Sequence, residues 1–248
     1  MAADRPPLPA SAAGLVFAGE MYAVQLDQLA VLTGASRRGA AKLAARWRAA
    51  RLAESGPLSQ GPRWVWLTRA GLATAGLPYT AAPPGLSRLA HLRAVTAARL
   101  ALSAAPGFAV AGGYWRSERR LRARMGGRIG LREHVPDAEV HWPGGTGAAW
   151  AGECWAIEVE LTPKTPARTI AIMREILLRT GDYGCLAADA AVPGRPPRHD
   201  RAVYVCSPTA RTVVSRAREA LGPLAARIEI RLLPAGATLG EAAWPDRP

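Results

Sequence analysis

The chain has 248 residues, 49% of them hydrophobic, and it carries 32 Lys and Arg against 19 Asp and Glu. Such a chain can bury one large or two smaller cores, and its basic charge favours polyanionic partners. Prolines interrupt the longest uncharged stretch, residues 70–87, which argues against a membrane-spanning helix. The N-terminus makes a poor signal peptide, and three widely spaced cysteines argue against a disulfide scaffold. We therefore expect a globular protein of the reducing cytoplasm.

The basic residues are almost all arginine. Only Lys42 and Lys164 are lysine, and the chain is also rich in Ala, Gly and Pro. This composition is typical of GC-rich coding, so part of the charge reflects coding bias. Functional arguments must therefore depend on where the charges lie along the chain.

The N-terminal third predicts a small helical domain after a tail. Residues 1–16 are rich in Pro and Ala without a clear period, and we interpret them as a disordered tail. Apolar residues then recur at helical spacing up to Thr33 and Gly34, where a helix should stop. Ser36 can cap a second helix over residues 37–52. Two helices joined by a turn that contains glycine indicate a helix-turn-helix.

Two short strands and a closing helix follow. The turn residues of segments 55–57 and 60–62 separate a strand around Ala53 from a strand over residues 63–67, as in a β-wing. Thr68 can cap the closing helix. Residues 17–80 therefore predict a winged helix-turn-helix domain.

The second helix of this domain is basic and contains no acidic residue. Its N-terminus suits the major groove, where Arg side chains can bond guanine edges while others contact phosphates. The alternative is the solvated face of an ordinary amphipathic helix. The order of helix, turn, helix and wing favours DNA binding and resembles the winged domains of bacterial regulators. The candidate DNA-binding residues are Arg37, Arg38, Lys42, Arg46, Arg48 and Arg63.

A linker at residues 81–88 should lead to a second domain over residues 89–248. Its first long helix is predicted within residues 86–105, and residues 114–132 then hold seven arginines around Glu118. That carboxylate either makes a structural ion pair or awaits a cation. The remainder alternates strand-like and helix-like segments, which indicates an α/β (α+β) class with a mixed sheet. Strands over 134–142 and 154–161 should form a hairpin through the glycines between them.

Acidic residues alternate with apolar residues along the second strand of that hairpin. In the run from Ala156 to Leu161 the period of two sends Glu158 and Glu160 to the same face of the sheet. With Asp137 on the neighbouring strand, these carboxylates can converge on Mg²⁺. Lys164 lies just beyond the strand. Carboxylates, a metal and a lysine are the parts needed to activate water against a phosphodiester. The alternative is an ion-paired polar face, paired with the arginines of residues 116–132.

At this point the sequence resembles the PD-(D/E)xK nuclease superfamily, and more narrowly the actinobacterial replication-relaxation-like proteins of plasmids and integrative elements. The resemblance depends on the winged domain, on residues 115–119, on residues 134–138 and on residues 156–164. It covers the chain from about Tyr22 to Leu233. It implies catalytic roles and a metal site, with Asp137, Glu158, Glu160 and Lys164 as catalytic residues and Glu118, Asp137 and Glu158 as metal ligands.

The sequence departs from the superfamily pattern at one position, and this difference separates the functional hypotheses. The superfamily carries Lys two residues after the strand Glu, and here that position is Glu160. Either Lys164 reaches back across the strand end, or the fold serves as a DNA-binding platform with a degenerate site that needs no metal. We therefore expect a protein of a plasmid or mobile element that binds double-stranded DNA, in replication, transfer or transcriptional control.

The alternative function is a Mg²⁺-dependent DNA endonuclease targeted by the winged domain. A third reading, an interaction module without nucleic acid, leaves both arginine clusters unexplained. We expect no membrane partner, and a homodimer is left open.

Overall fold

The computed structural model describes residues 10–105, 108, 112–124, 134–142, 150–180 and 197–239. The chain forms two compact units. The first unit combines Met1–Leu100 with Ala235–Pro248, and the second unit is Ala101–Pro234. Both helices and sheets are present, as the α+β expectation requires. Leu89 and Leu92, which follow the expected linker at residues 81–88, pack against Trp64 within the first unit.

The first unit consists of helices around a small antiparallel sheet. Its three strands lie in the order β1, β3, β2, and Val65 of β3 pairs with Val24 on one side and Ser55 on the other. Its elements are α1 (Ala10–Glu20), β1 (Val24–Gln25), α2 (Leu26–Thr33), α3 (Arg37–Ala49), β2 (Ala53–Gly56), β3 (Trp64–Leu67), α4 (Arg69–Thr74), a 3-10 turn (Leu86–Arg88) and most of α5 (Leu89–Ala104). Helix α5 continues past Leu100, where this unit ends.

Local capping chemistry explains where these helices begin and end. The Ser36 hydroxyl accepts the Gly39 N–H at the start of α3, and the Thr68 hydroxyl accepts the Gly71 N–H at the start of α4. Gly34 ends α2 with a φ of 62°, a conformation that glycine adopts without strain. The predicted helix boundaries at these residues are confirmed.

The expected tail at residues 1–16 is wrong from Ala10 onward, where α1 begins. Alanine has the highest intrinsic helix propensity, and this helix buries Leu15 and Phe17. Gly14 lies so close to Trp47 that an added Cβ would come within 3.0 Å of the indole ring. Tertiary packing therefore stabilises a segment whose sequence shows no amphipathic period. Residues 1–9 lie outside the described residues.

A buried ion pair connects α5 to α2 within the first unit. The Arg93 guanidinium donates to both carboxylate oxygens of Asp27, at 3.1 and 2.8 Å, and both side chains are fully buried. Arg93 also donates to the Gln25 side chain and, from Nε, to the Thr238 carbonyl at 2.7 Å. The Gln28 side-chain amide donates a hydrogen bond to the Arg93 backbone carbonyl at 2.8 Å. The network therefore joins α2, α5 and the C-terminal segment.

The second unit is built on a five-stranded mixed sheet in the order β4-β5-β6-β7-β8. The pairs β4–β5 and β5–β6 are antiparallel, and the pairs β6–β7 and β7–β8 are parallel. Its elements are β4 (Tyr114–Ser117), α6 (Glu118–Arg124), β5 (Ala138–His141), β6 (Cys154–Glu160), α7 (Pro166–Leu178), β7 (Arg201–Cys206), α8 (Pro208–Glu219), a 3-10 segment (Gly222–Arg227) and β8 (Ile228–Leu232).

The expected pairing of the two acidic strands is confirmed. Ala138 of β5 lies opposite Ile157 of β6 in an antiparallel register. The glycine-rich turn expected at residues 143–147 lies outside the described residues. The apolar side chains of α7 and α8 pack on the face of the sheet that carries Ala156 and Tyr204. Within the described ranges, no helix has the length and apolar character needed to cross a bilayer.

Candidate functional site

Helix α3 presents two chemically opposite faces. Ala40, Leu43, Ala44 and Trp47 are buried, as the helical period predicts. The remaining face of the helix is exposed and basic. Its members are Arg37, Arg38, Lys42, Arg46 and Arg48. Arg63, which immediately precedes β3, is also exposed, and it donates to the Ser55 carbonyl of the facing strand at 3.4 Å.

A cleft of about 750 Å³ lies between the C-terminal end of α3 and the β2–β3 hairpin. Arg48 and Arg51 line one side, and Glu54 and Trp66 line the other. The Glu54 carboxylate accepts the Trp66 indole N–H at 3.0 Å. The charge of Glu54 is therefore bonded within the β2–β3 hairpin. Arg48 and Arg51 therefore give the cleft two guanidinium side chains in its lining, next to the basic face of α3.

The second unit places Asp137 and Glu158 side by side. Asp137 immediately precedes β5, and the register of Ala138 with Ile157 sets Asp137 beside Glu158. The Asp137 carboxylate accepts the Val159 backbone N–H at 2.8 Å. We call Asp137, Glu158, Glu160 and Lys164 the acidic site. Strand pairing therefore positions two carboxylates that lie 21 residues apart in sequence.

Glu158 is buried in spite of its charge, because β6 is covered on both faces. One carboxylate oxygen lies 2.7 Å from His134 Nε2. Burial raises the pKa of Glu158 to about 7, against the opposing effect of His134, and the Asp137 charge adds to the rise. Burial would lower the pKa of His134, but its bond to Glu158 and the Glu158 charge raise it. The pair therefore binds protons more tightly than the separate groups would.

Lys164 reaches back toward the strand that it follows. Its ammonium group forms an ion pair with the Glu160 carboxylate, and its charge also acts on Glu158. Lys164 is one-third exposed, whereas Glu160 is buried. Lys164 therefore contacts the end of the strand that it follows, and its catalytic role stays a prediction. The alternative interpretation pairs Glu158 and Glu160 with the arginines of residues 116–132, of which residues 125–132 lie outside the described residues. Among the described residues, Glu158 contacts His134 and Glu160 contacts Lys164.

A buried tyrosine lies beside these carboxylates. Tyr204 of β7 pairs in register with Glu158, so both side chains leave the sheet on the same face. The Tyr204 hydroxyl is fully buried and has no hydrogen-bond partner among the described residues. Burial and the charges of Glu158 and Glu160 raise the pKa of Tyr204 well above its usual value. A neutral phenol donor therefore lies beside the acidic site, and its hydroxyl makes no hydrogen bond to the described residues.

Glu118 lies in the first turn of α6, and its backbone contacts the backbone of Asp137. Its N–H donates to the Asp137 carbonyl at 2.9 Å, and its carboxylate pairs with Arg122 at 2.7 Å. The sequence analysis left two roles open for Glu118, a structural ion pair and a metal ligand. The pair with Arg122 corresponds to the first role, and metal binding by Glu118 stays a prediction. Arg128 and Arg132 lie outside the described residues.

The acidic site makes a testable prediction for folding stability. Glu158 and His134 both bind protons more tightly in the folded chain, so they stabilise it at low pH, and this stabilisation is lost as the pH rises. For Glu158 the loss runs from its ordinary value of 4.5 to about 7. Glu158→Gln should therefore gain stability relative to wild type as the pH increases, by roughly 2–3 kcal/mol at pH 8.

Urea unfolding from pH 5 to pH 8, with chelator present, measures this difference. Glu229→Gln is the control, because Glu229 is exposed on β8 and pairs with Arg231 at 2.6 Å. A difference between Glu158→Gln and wild type that does not change with pH would contradict the prediction.

A second polar cluster, which the sequence reasoning missed, surrounds Glu139 of β5. The fully buried carboxylate contacts Arg198 at 2.6 and 3.1 Å, His199 at 3.0 Å and His141 at 2.9 Å. Arg116 lies 3.5 Å away. Burial alone would raise the pKa of Glu139, but the bonds from His141, His199 and Arg198 hold it well below its usual range.

Histidine usage was the available signal for the Glu139 cluster and for the missed His134 partner of Glu158. The chain contains four histidines, and His134, His141 and His199 all contact buried carboxylates of the second unit. Tyr204 and Glu139 offered no comparable signal, because an alternating strand does not reveal which polar residue is buried. Comparisons with known protein families, with curated proteins and with solved structures found no match to this chain.

Proposed function

We propose that the first unit is a winged helix-turn-helix domain that binds double-stranded DNA through α3. The observation that carries the proposal is the division of α3 into a buried apolar face and an exposed basic face without acidic residues. The arrangement of elements supports it: α2 and α3 follow one strand of the sheet, and the β2–β3 hairpin comes next as the wing.

The exposed residues divide by their position along α3. Arg37 and Arg38 lie at its N-terminal end, which approaches base edges when such a helix enters the major groove. Arg46 and Arg48 lie in its last turn and are placed for phosphates. Lys42 lies between them, and Arg63 extends the basic surface to the wing. Base contacts would set sequence preference, and phosphate contacts would set affinity.

Binding to duplex DNA should weaken steeply with salt, with log K falling by about 0.9 per phosphate contact. Fluorescence anisotropy of a labelled duplex, titrated with the full chain at several salt concentrations, measures this slope. Replacing Arg46 or Arg48 by Ala should reduce the slope. Replacing Arg37 and Arg38 by Ala should reduce the preference among duplexes of different sequence more than either change in the last turn.

The matched control is Arg216→Ala with Arg218→Ala. These exposed arginines occupy the last turn of α8, an amphipathic helix of the second unit with similar basic character. The control variant should bind DNA with nearly wild-type affinity. Affinity independent of salt, or absence of binding at low salt, would refute the proposal. An equal loss in the control variant would show that net charge rather than α3 is responsible.

For the second unit we propose a PD-(D/E)xK nuclease-like domain, in a protein of plasmid or mobile-element type that acts in replication, transfer or transcriptional control. The mixed sheet and the adjacent Asp137 and Glu158 support this assignment. Cytoplasmic action and possible homodimerisation remain expectations from the sequence.

The second candidate function is Mg²⁺-dependent cleavage of the bound DNA. The observation in its favour is the Tyr204 hydroxyl, which is buried beside Glu158 and Glu160 and has no hydrogen-bond partner within the part of the chain that the structure describes. Carboxylate oxygens are the ligands that Mg²⁺ prefers, so Asp137 and Glu158 fit this ion and would hold it, with Glu118 as the further predicted ligand. The ion would activate water and neutralise charge at the phosphodiester.

The residues of the chain would divide the remaining work. The Val159 N–H fixes the orientation of the Asp137 carboxylate, and His134 holds one oxygen of Glu158. Lys164 would place its ammonium near the phosphate, oriented by its ion pair with Glu160. Tyr204 would donate a hydrogen bond from its neutral hydroxyl to an oxygen that enters the site. If the site is degenerate, the same contacts serve only to hold the strand ends together.

A further inference from the structure

Four side chains of metal-ligand type converge around Glu139, away from the acidic site. Glu139 and His141 belong to β5, Cys154 begins β6, and His199 precedes β7. One ligand atom each from Glu139, Cys154 and His199 lie within 4.8 Å of one another. His141 Nε2 lies 3.7 Å from Cys154 Sγ and 2.9 Å from Glu139. Ligands of a tetrahedral zinc ion, with bonds of about 2.0–2.3 Å, stand roughly 3.3–3.6 Å apart.

The hydrogen bonds of His199 require a cation or an added proton. Its Nδ1 lies 3.1 Å from the Ile176 carbonyl, and its Nε2 lies 3.0 Å from the Glu139 carboxylate. Both neighbours are acceptors, so a neutral imidazole satisfies only one of them. A ligating histidine usually donates its second N–H to a carbonyl, which fixes the other nitrogen toward the metal. The Ile176 contact has this geometry, and it directs Nε2 of His199 at the cluster.

We propose that Cys154, His199 and Glu139 bind a zinc ion, with His141 as the fourth ligand. A thiolate combined with imidazoles selects zinc rather than Mg²⁺, which prefers oxygen. Binding releases the Cys154 thiol proton and the protons between the histidines and Glu139 to solvent. Four protein ligands close the site, so the ion has a structural role: it joins β5, β6 and the start of β7.

The competing explanation is an ion-pair cluster without metal. Arg198 contacts both oxygens of Glu139, and Arg116 lies near one of them. That explanation accounts for the buried carboxylate but assigns no role to the Cys154 thiol beside His141. In the zinc site, Arg198 offsets the negative charge of the two anionic ligands and orients Glu139. The two explanations differ in metal content, which can be measured directly.

Elemental analysis of the full chain, purified without a histidine tag, should find about one zinc per chain, the stoichiometry of a four-ligand site. Cys154→Ser and His199→Gln should each lose the ion. Cys206→Ser is the matched control, because Cys206 is a buried thiol on β7 outside the cluster, and it should retain zinc. Asp137→Asn should also retain zinc, since it alters only the acidic site.

A second measurement guards against variants that fail to fold. Chelator-treated wild type should bind Co²⁺ and develop the absorption of tetrahedral cobalt with a thiolate ligand, which Zn²⁺ then abolishes. Cys154→Ser should lack the thiolate band and Cys206→Ser should keep it. Wild type that binds neither ion stoichiometrically would overturn the proposal. Equal zinc in Cys154→Ser and Cys206→Ser, or loss of zinc in Asp137→Asn alone, would also overturn it.

Discussion

Replacing Asp27 by Ala should lower the free energy of unfolding of the first unit by about 3–5 kcal/mol, the usual effect of removing one partner from a buried ion pair. The reason is the environment of Arg93, which is fully buried and donates to both oxygens of Asp27. Without the carboxylate, the guanidinium keeps its charge in a site closed to water. Bonds to the Gln25 side chain and the Thr238 carbonyl do not neutralise it.

Hydrogen–deuterium exchange resolved by peptide measures this loss in the first unit alone, since global unfolding combines both units. The exposed pair of Arg231 with Glu229 supplies the control, and Glu229→Ala should change stability by less than about 1 kcal/mol. A double variant, Asp27→Leu with Arg93→Met, should recover part of the loss because it removes both buried charges. If the free energy of unfolding of the Asp27→Ala variant differs from that of wild type by less than about 1 kcal/mol, as for an exposed pair, the prediction is wrong.

If the second unit is a working nuclease, Asp137→Asn and Glu158→Gln should each abolish metal-dependent cleavage of supercoiled DNA. Both changes remove a carboxylate that would hold the ion, and both also reduce repulsion of phosphate, so DNA binding should stay intact or strengthen. Lys164→Ala should likewise abolish cleavage. Lys164→Arg should rescue poorly, because a planar guanidinium cannot replace a compact ammonium group in a crowded site.

Glu160→Lys distinguishes a working site from a degenerate one. The change restores the lysine spacing of the superfamily, but it also removes the carboxylate that pairs with Lys164 and sets two ammonium groups together. In a working site it should reduce cleavage, and in a degenerate site it should introduce cleavage. Incubation with Mg²⁺ or Mn²⁺, and with chelator as the control, provides the measurement. Wild type that cuts nothing with either metal would favour the regulator.

Local chemistry explains why most elements could be predicted. Ser36 and Thr68, the two caps that the sequence indicated, accept N–H groups three residues later. Thr165 and Ser207 do the same at the starts of α7 and α8. The alternation in β6 and the glycine-rich segment before it indicated a hairpin, and the register of Ala138 with Ile157 agrees. Helix α1 could not be recognised, because its apolar residues follow no helical period and its stability comes from packing against distant residues such as Trp47.

The acidic site shows how far such reasoning extends. Asp137, Glu158, Glu160 and Lys164 could be selected because acidic residues at alternating strand positions are visible in the sequence. Their partners could not be selected, since His134 reaches Glu158 and Tyr204 adjoins it only through the sheet. Whether Asp137 and Glu158 share a metal stays a prediction, and the variants described above test it.

By itself the sequence determined the local features: the helix caps, the two faces of α3, the strand that carries Glu158 and the excess of arginine. These depend on residues within a few positions of one another, where backbone geometry fixes which side chains share a face. Only the tertiary structure decided which charges are paired and buried. Asp27 meets Arg93 across 66 residues, and Glu139 meets His199 across 60. Such partners depend on strand order and helix packing, which local periodicity does not encode, because any of the chain's 30 arginines could pair with a given carboxylate until the fold excludes the others.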